Sequence, residues 1–151
     1  MPDIRFRTTV DAPPDAVYEA LATQEGLAGN WTDQLEVPDE AGAVARFGFG
    51  PDWAKTLEVR IDALEPGRRV VWTPVGGFPG WIGTAIEWRL EPADHGGTVV
   101  HFAHTGWPDA DADGEMAMCG YTWAMIIDRL HGQVARGERA PYFAAGVPLP
   151  R

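Results

Sequence analysis

The sequence has little of what a disulfide-bonded, secreted or membrane-spanning chain needs. Its one cysteine, Cys119, excludes an intramolecular disulfide and a multi-cysteine zinc cluster. The N-terminus, Met1-Pro2-Asp3-Ile4-Arg5, lacks the basic start and apolar stretch of a secretory signal, and no run approaches the ~18 apolar residues of a membrane span. We therefore expect a cytoplasmic protein in which Cys119 is a small buried hydrophobic residue rather than a nucleophile.

Positive charge is also scarce. Twelve Lys and Arg face 22 Asp and Glu, which gives a formal net charge of −10, and the basic residues form no cluster. Such a surface repels phosphate backbones and anionic lipid, so the composition predicts no nucleic-acid partner and no membrane partner. A neutral or weakly acidic ligand that reaches an apolar pocket is not opposed by surface charge alone.

Motifs for catalysis and for metal binding are missing. There is no nucleophile elbow, phosphate loop or HExxH sequence, and His95, His101 and His131 are not at metal-ligand spacing with one another. The acidic run from Asp109 to Gly114 resembles a calcium loop, but its twelfth position, which should hold a bidentate glutamate, is Gly120. We expect no metal and no cofactor, and we assign Asp113 and Glu115 to the start of a helix.

What the sequence does contain is an ordinary hydrophobic fraction with an unusual set of aromatic residues. Its 151 residues are 45% hydrophobic, which predicts one domain over residues 1–151 with a single core. Seven Trp, six Phe and three Tyr are present. Rings of this size fill a core or form the wall of a cavity.

The first third of the chain predicts one strand followed by short helices. Residues 4–10 alternate apolar and polar side chains, which is typical of a half-buried strand. Pro13-Pro14-Asp15 ends that strand and begins a short helix through Leu21. Gly26 and Gly29 leave at most one more helical turn before Trp31.

The rest of the chain predicts a meander and one long helix. Strands are expected at 44–49, 55–64, 69–73, 81–90 and 98–105, with turn-forming residues between them. After Asp113, apolar residues recur every three or four positions as far as Val134, so a long amphipathic helix should end at Gly137. The core is expected at 4–136, and the proline-rich tail 140–151 should lie extended or fray.

Three segments carry a family resemblance: Val10 to Tyr18, Gly96 to Trp107, and the helix residues Trp123, Ile127 and Leu130. In their order and spacing they resemble the START/Bet v 1-like (SRPBCC) superfamily, in particular the branch related to the C-terminal domain of the activator of Hsp90 ATPase (AHSA1-like). Thr122 departs from the family pattern, in which a glycine usually precedes the helix tryptophan. The resemblance covers residues 4 to 136.

The resemblance implies an α+β helix-grip fold. In that fold a curved antiparallel sheet of about six strands wraps around a long C-terminal helix, with one or two short helices after the first strand. If the sheet curls around the helix, a cavity is left between them. The superfamily includes lipid carriers, hormone receptors and polyketide cyclases, so the fold alone does not select a function.

Strand parity and the aromatic inventory select the candidate ligand contacts. Side chains two apart share a face, so Thr98, Val100, Phe102 and His104 lie together, as do Ile82, Thr84, Ile86, Trp88 and Leu90. Buried indole N–H groups need partners, and a cavity would provide them through water or ligand. The predicted ligand-binding set is Trp31, Phe47, Phe49, Trp72, Trp88, Phe102, His104, Trp107, Trp123 and Ile127.

Two interpretations of His104 stay open at this point. It is either a histidine hydrogen-bonded to backbone at the end of its strand, or a polar anchor or general acid/base for a ligand. The leading function is binding of an apolar or aromatic small molecule in the cavity. The alternatives are a cyclase or dehydratase acting on a polyketide-like substrate through His104, and an Hsp90-activator-like interaction module. That module ranks third because the chain is too short for the activator's N-terminal domain. Monomer and homodimer are both left open.

Overall fold

The computed structural model describes residues 3–108 and 114–144, which form one antiparallel sheet packed against a long helix. The strands run β1 (Ile4–Val10), β2 (Gln34–Glu36), β3 (Val44–Phe49), β4 (Lys55–Glu65), β5 (Arg69–Gly76), β6 (Ala85–Pro92) and β7 (Thr98–Thr105). The helices are α1 (Pro14–Ala22), α2 (Gln24–Ala28) and α3 (Glu115–Arg136). Short 3₁₀ turns occupy 51–53, 79–81 and 94–96. The predicted helix-grip architecture is confirmed.

The sheet is open and its strands lie in the order β1-β7-β6-β5-β4-β3-β2. Every neighbouring pair is antiparallel. The register places Trp72 opposite Ile86 and Trp88 opposite Phe102. Large side chains therefore face one another across neighbouring strands on the concave side, where cross-strand pairs stabilise the sheet.

Helix α3 covers this concave face with its apolar stripe. Trp123, Ile126, Ile127 and Leu130 are buried, as the spacing of apolar residues predicts. The helix ends where expected, because Gly137 adopts a left-handed conformation with φ of 69° and its N–H bonds back to the last turn. Glu115 lies in the first turn, near the positive end of the helix dipole.

The strand prediction is wrong at two places. The short strand β2 was not predicted, so the sheet has seven strands instead of about six. The strand expected to begin at Trp81 begins at Ala85, because Pro79 and Gly80 form a 3₁₀ turn and Gly83 has a φ of +93°. Ile82 is consequently 55% exposed and does not share the inner face.

The short helix α2 forms despite a glycine at its centre. A Cβ placed on Gly26 would lie 2.1 Å from the carbonyl oxygen of Glu19 in α1. Gly26 thus allows two helices to approach more closely than any other residue could. The side chain of Thr23 caps the start of α2 by accepting from the Gly26 N–H at 2.9 Å.

Two of the sequence-based expectations fall on residues that the structure does not describe. The acidic residues from 109 to 113, including the predicted cap Asp113, lie outside the described ranges, and so do tail residues 145–151. Within residues 3–108 and 114–144, no helix combines the length and the apolar character that a bilayer crossing requires.

Candidate ligand-binding site

A cavity of about 240 Å³ lies between the first half of α3 and one end of the sheet. The β3–β4 turn and the β5–β6 connection form that end. Six aromatic side chains line the cavity: Trp31, Phe49, Phe78, Trp81, Trp123 and Phe143. Helix α3 adds Met118, Cys119, Thr122 and Ile126, and Lys55 and Glu115 contribute the charged groups. The cavity is open to solvent and bounded by these rings and by the side chains of α3.

The aromatic wall is held by ring packing on several sides. Trp31 stacks on Trp72 with centroids 5.9 Å apart and meets Trp123 at 5.3 Å. Trp81 meets the Phe78 ring edge-on at 5.3 Å and tilts against Trp123 at 6.1 Å. Such pairs fix ring positions beyond what burial of area alone provides, so the wall is preorganised.

One part of the wall comes from the segment after α3. The N–H of Tyr142 donates to the carbonyl of Asn30 at 3.2 Å, and the N–H of Phe143 donates to that of Trp31 at 2.8 Å. These bonds bring the ring of Phe143 edge-on to Phe49, with centroids 5.0 Å apart. Phe143 therefore closes the cavity beside Trp31.

The cysteine that borders the cavity is not activated. Burial raises the pKa of the Cys119 thiol to about 11, opposed by a hydrogen bond with Trp81 and assisted by the nearby Glu115 carboxylate. The thiol thus stays protonated at neutral pH, and a protonated thiol is a weak nucleophile. Cys119 acts as an apolar part of the wall.

His104 lies behind the cavity and its ring is fully engaged by the protein. Thr84 donates its hydroxyl proton to the Trp81 carbonyl at 2.6 Å, so the same oxygen accepts from His104 Nε2–H at 2.9 Å. The other ring nitrogen, Nδ1, accepts from the indole N–H of Trp123 at 3.1 Å. Burial lowers the pKa of His104 to about 3. The ring is neutral, its tautomer follows from these partners, and no nitrogen is free for a ligand.

The expected contact residues separate into two groups. Trp31, Phe49 and Trp123 line the cavity. The remainder pack behind it, in the buried core or against it: Phe47, Trp72, Trp88, Phe102, His104, Trp107 and Ile127. His104 is bonded to side chains of Thr84 and Trp123 rather than to backbone.

The cavity does not provide partners for the buried indole N–H groups. The buried N–H groups of Trp88 and Trp107 have no hydrogen-bond partner among the described residues, and neither ring borders the cavity. The indole of Trp123, which does border it, is already bonded to His104. The N–H groups of Trp88 and Trp107 therefore lie in the packed core, away from the cavity.

Several lining residues were missed by the sequence analysis. Trp81 and Phe78 lie around the 79–81 turn, where Pro79 and Gly80 were available as a loop signal. Phe143 lies in a segment with no periodicity, so nothing in the sequence indicated its position. Met118 falls on the cavity side of α3 although it is 60% exposed.

Comparisons with known proteins agree with this fold. The sequence model of the family described as Activator of Hsp90 ATPase homolog 1-like protein matches residues 11–135. A search of curated proteins finds no match. Among solved structures, the chain is similar to the Aha1 dimer from Colwellia psychrerythraea, with 28% identity, a TM-score of 0.78, and coverage of 91% of this chain and 98% of that one.

Two more distant structures share the fold alone. Protein SSP2350 from Staphylococcus saprophyticus is 20% identical with a TM-score of 0.76, and the match covers 95% of this chain and 98% of that one. DynU16, a protein of the dynemicin biosynthetic locus, is 23% identical with a TM-score of 0.75, over 94% of this chain and 50% of that one.

Proposed function

The chain belongs to the family of Activator of Hsp90 ATPase homolog 1-like proteins, and on that premise we propose that it binds an apolar or aromatic small molecule in the helix–sheet cavity. The observation that carries the proposal is the aromatic wall. A preformed concave site lined by apolar rings with a few polar groups at its edge is the usual form of a small-molecule site.

The ligand would contact the lining rings directly. We assign these contacts to Trp31, Phe49 and Trp123 of the expected set, together with Trp81 and Phe143. The buried rings behind them support the wall rather than touch the ligand. An apolar ligand gains about 25 cal/mol for each Å² of apolar surface that it removes from water.

Binding is better supported than catalysis. General acid/base chemistry needs a group within hydrogen-bond reach of the reacting proton. Among the described residues the titratable groups that border the cavity are Lys55, Glu115 and Cys119, and no histidine does so. Of the described groups, the Cys119 thiol is protonated and His104 is saturated by its partners, so these two supply neither an activated thiol nor an imidazole base to the cavity.

Of the two oligomeric states left open, homodimer has one argument in its favour. The related Aha1 structure from Colwellia psychrerythraea is a dimer. We propose the same state for this chain, and sedimentation equilibrium measures it directly.

The test is a cavity-filling substitution. Thr122→Phe places a ring inside the cavity from α3, whereas Ala124→Phe adds the same ring on the exposed side of the same helix. An aromatic ligand that saturates the wild type at a hundredfold excess over its Kd should stabilise it by about 2.7 kcal/mol in a thermal or chemical melt.

Thr122→Phe should lose that stabilisation, and Ala124→Phe should keep it. If an unbiased screen of apolar and aromatic compounds stabilises neither the wild type nor Ala124→Phe, the cavity does not bind ligands. Stabilisation of all three proteins to the same extent would place the ligand elsewhere on the molecule.

A further inference from the structure

We propose that Lys55 anchors the carboxylate of a two-ring aromatic ligand at the mouth of the cavity. This inference rests on the proposed binding function and names its ligand class. It draws on the size of the cavity, the charge at its rim and the turn that positions Lys55.

The size of the cavity sets the apolar part of the ligand. An engineered apolar cavity of about 150 Å³ takes up benzene. The cavity here is larger, at about 240 Å³, and it is lined mainly by flat rings. Two fused or linked aromatic rings fill such a space and stack against the indoles of Trp31 and Trp81.

Lys55 is the one lysine in the sequence, and it borders the cavity. Many arginines are already engaged with carboxylates, for example Arg60 with Asp62 at 2.6 Å and Arg69 with Glu87 at 2.6 Å. Lys55 makes no ion pair with any residue in the described ranges. Its ammonium group is therefore available to an anion that arrives from solvent.

The backbone before Lys55 is strained and held in place. Asp52 and Trp53 have φ values of 50° and 57°, a left-handed conformation that is unfavourable for a bulky residue such as Trp53. The amide of Gln34 holds both ends of this turn, since it donates to the Gly50 carbonyl at 2.7 Å and accepts from the Trp53 N–H at 2.9 Å. Strain of this kind persists only where the surrounding structure imposes it, and it concentrates at ligand sites.

The second charged residue at the rim does not compete for the same role. Glu115 lies in the first turn of α3, where unpaired N–H groups and the helix dipole favour its carboxylate. Its side chain also lies against the 79–81 turn, since a Cβ built on Gly80 would be 2.0 Å from Glu115 Oε2. Glu115 thus lies at the helix end of the rim, against the 79–81 turn, whereas Lys55 follows the β3–β4 turn on the sheet side.

The experiment compares three probes of one shape by isothermal titration calorimetry at pH 7.5 and low salt. They are 2-naphthoate, neutral 2-naphthamide and cationic 2-naphthylmethylammonium. The wild type should bind 2-naphthoate most tightly. Lys55→Gln should weaken 2-naphthoate binding by about 3- to 10-fold and leave the affinity for 2-naphthamide unchanged. Lys55→Arg keeps the positive charge, so it should keep most of the preference for 2-naphthoate over 2-naphthamide.

The matched control is Arg60→Gln, which removes one positive charge from the solvent face of the same strand and should leave all three affinities unchanged. Added salt should reduce the preference for 2-naphthoate, because the pair is exposed. If Lys55→Gln leaves the ratio of 2-naphthoate to 2-naphthamide unchanged, or if the ammonium probe binds tightest, the role of Lys55 is refuted and binding in the cavity stands. If no probe binds, the two-ring aromatic ligand class is refuted, whereas the binding function itself is decided by the compound screen.

Discussion

Lowering the pH from 6 to 4 should destabilise this protein in part through one side chain, His104, which lies fully buried behind the cavity. In the unfolded chain an exposed histidine takes up a proton near pH 6.5. In the folded protein, burial lowers the pKa of His104 to about 3, so the folded state resists that proton. The unfolded state therefore binds more protons across this interval, and acid favours it.

The sign and size follow from linkage. Well above pH 6.5 the ring is neutral in both states and contributes no pH dependence. Between the two pKa values, each pH unit removes about 1.4 kcal/mol from the free energy of unfolding, and the loss levels off only below the folded pKa. From pH 6 to pH 4 this amounts to about 2–3 kcal/mol, a sizeable part of the total stability of a small domain.

The assay is urea denaturation at several pH values between 4 and 7, for the wild type and for two variants without the imidazole. His104→Asn and His104→Gln each keep a side-chain amide that can replace one of the two hydrogen bonds of His104, either with Trp123 or with Thr84. Both should be less stable at neutral pH, since a buried partner loses its bond. The midpoints should nevertheless fall less steeply with acid than those of the wild type.

The informative quantity is the difference between the wild type and the variants in how steeply stability falls with pH. Carboxylates also lose stability in acid, but they do so equally in all three proteins. Asp62 is an example: burial raises its pKa, and hydrogen bonds with Arg60 and Thr73 lower it by more. His95→Asn is the control, since it removes an exposed imidazole in the 94–96 turn and leaves His104 and its two partners in place. Parallel pH profiles for the wild type and both His104 variants would refute the neutral buried histidine.

Two further predictions concern the packing of α1 against α2 and the contact of Phe143 with the ligand. Gly26→Ala should destabilise the protein by about 1–3 kcal/mol or more in denaturant melts, because the added methyl group would meet the Glu19 carbonyl. The control is Gly120→Ala in α3, where the nearest atom is 4.0 Å away. This substitution should be neutral or should stabilise the protein by up to about 1 kcal/mol. Equal effects would contradict the close approach of α1 and α2. Phe143→Ala should weaken the binding of an aromatic ligand by about 3- to 10-fold in calorimetry. Tyr142→Ala leaves the wall of the cavity intact and should not change this affinity. Equal affinities in the two variants would exclude Phe143 from the site.

The fold was predictable because its signals are local and periodic. The alternation in β1, the spacing of apolar residues in α3 and the stop at Gly137 each indicate an element without reference to the rest of the chain. β2 escaped detection because it has three residues, too few to show a period. Its pairing with β3 is a tertiary contact that the sequence of the strand does not encode by itself.

The site was only partly predictable, since parity gives the face of a residue but not its depth. Phe102 and His104 do point towards α3, yet they lie beneath Trp123 rather than beside open space. Conversely, Phe143 reaches the cavity because the chain after α3 returns along residues 29–32. That return is set by backbone hydrogen bonds, for which the sequence has no pattern.

The position of His104 explains how a buried polar group can shape an apolar cavity that it does not touch. Its two bonds connect Trp123 on α3 with Thr84, whose hydroxyl in turn holds the backbone of Trp81 in the 79–81 turn. Both tryptophans line the cavity, on opposite layers of the fold. A neutral imidazole is suited to this link because one nitrogen donates while the other accepts. A protonated ring would have to break the bond with Trp123. The low pKa of His104 therefore keeps the two halves of the aromatic wall together across the pH range in which ligands would bind.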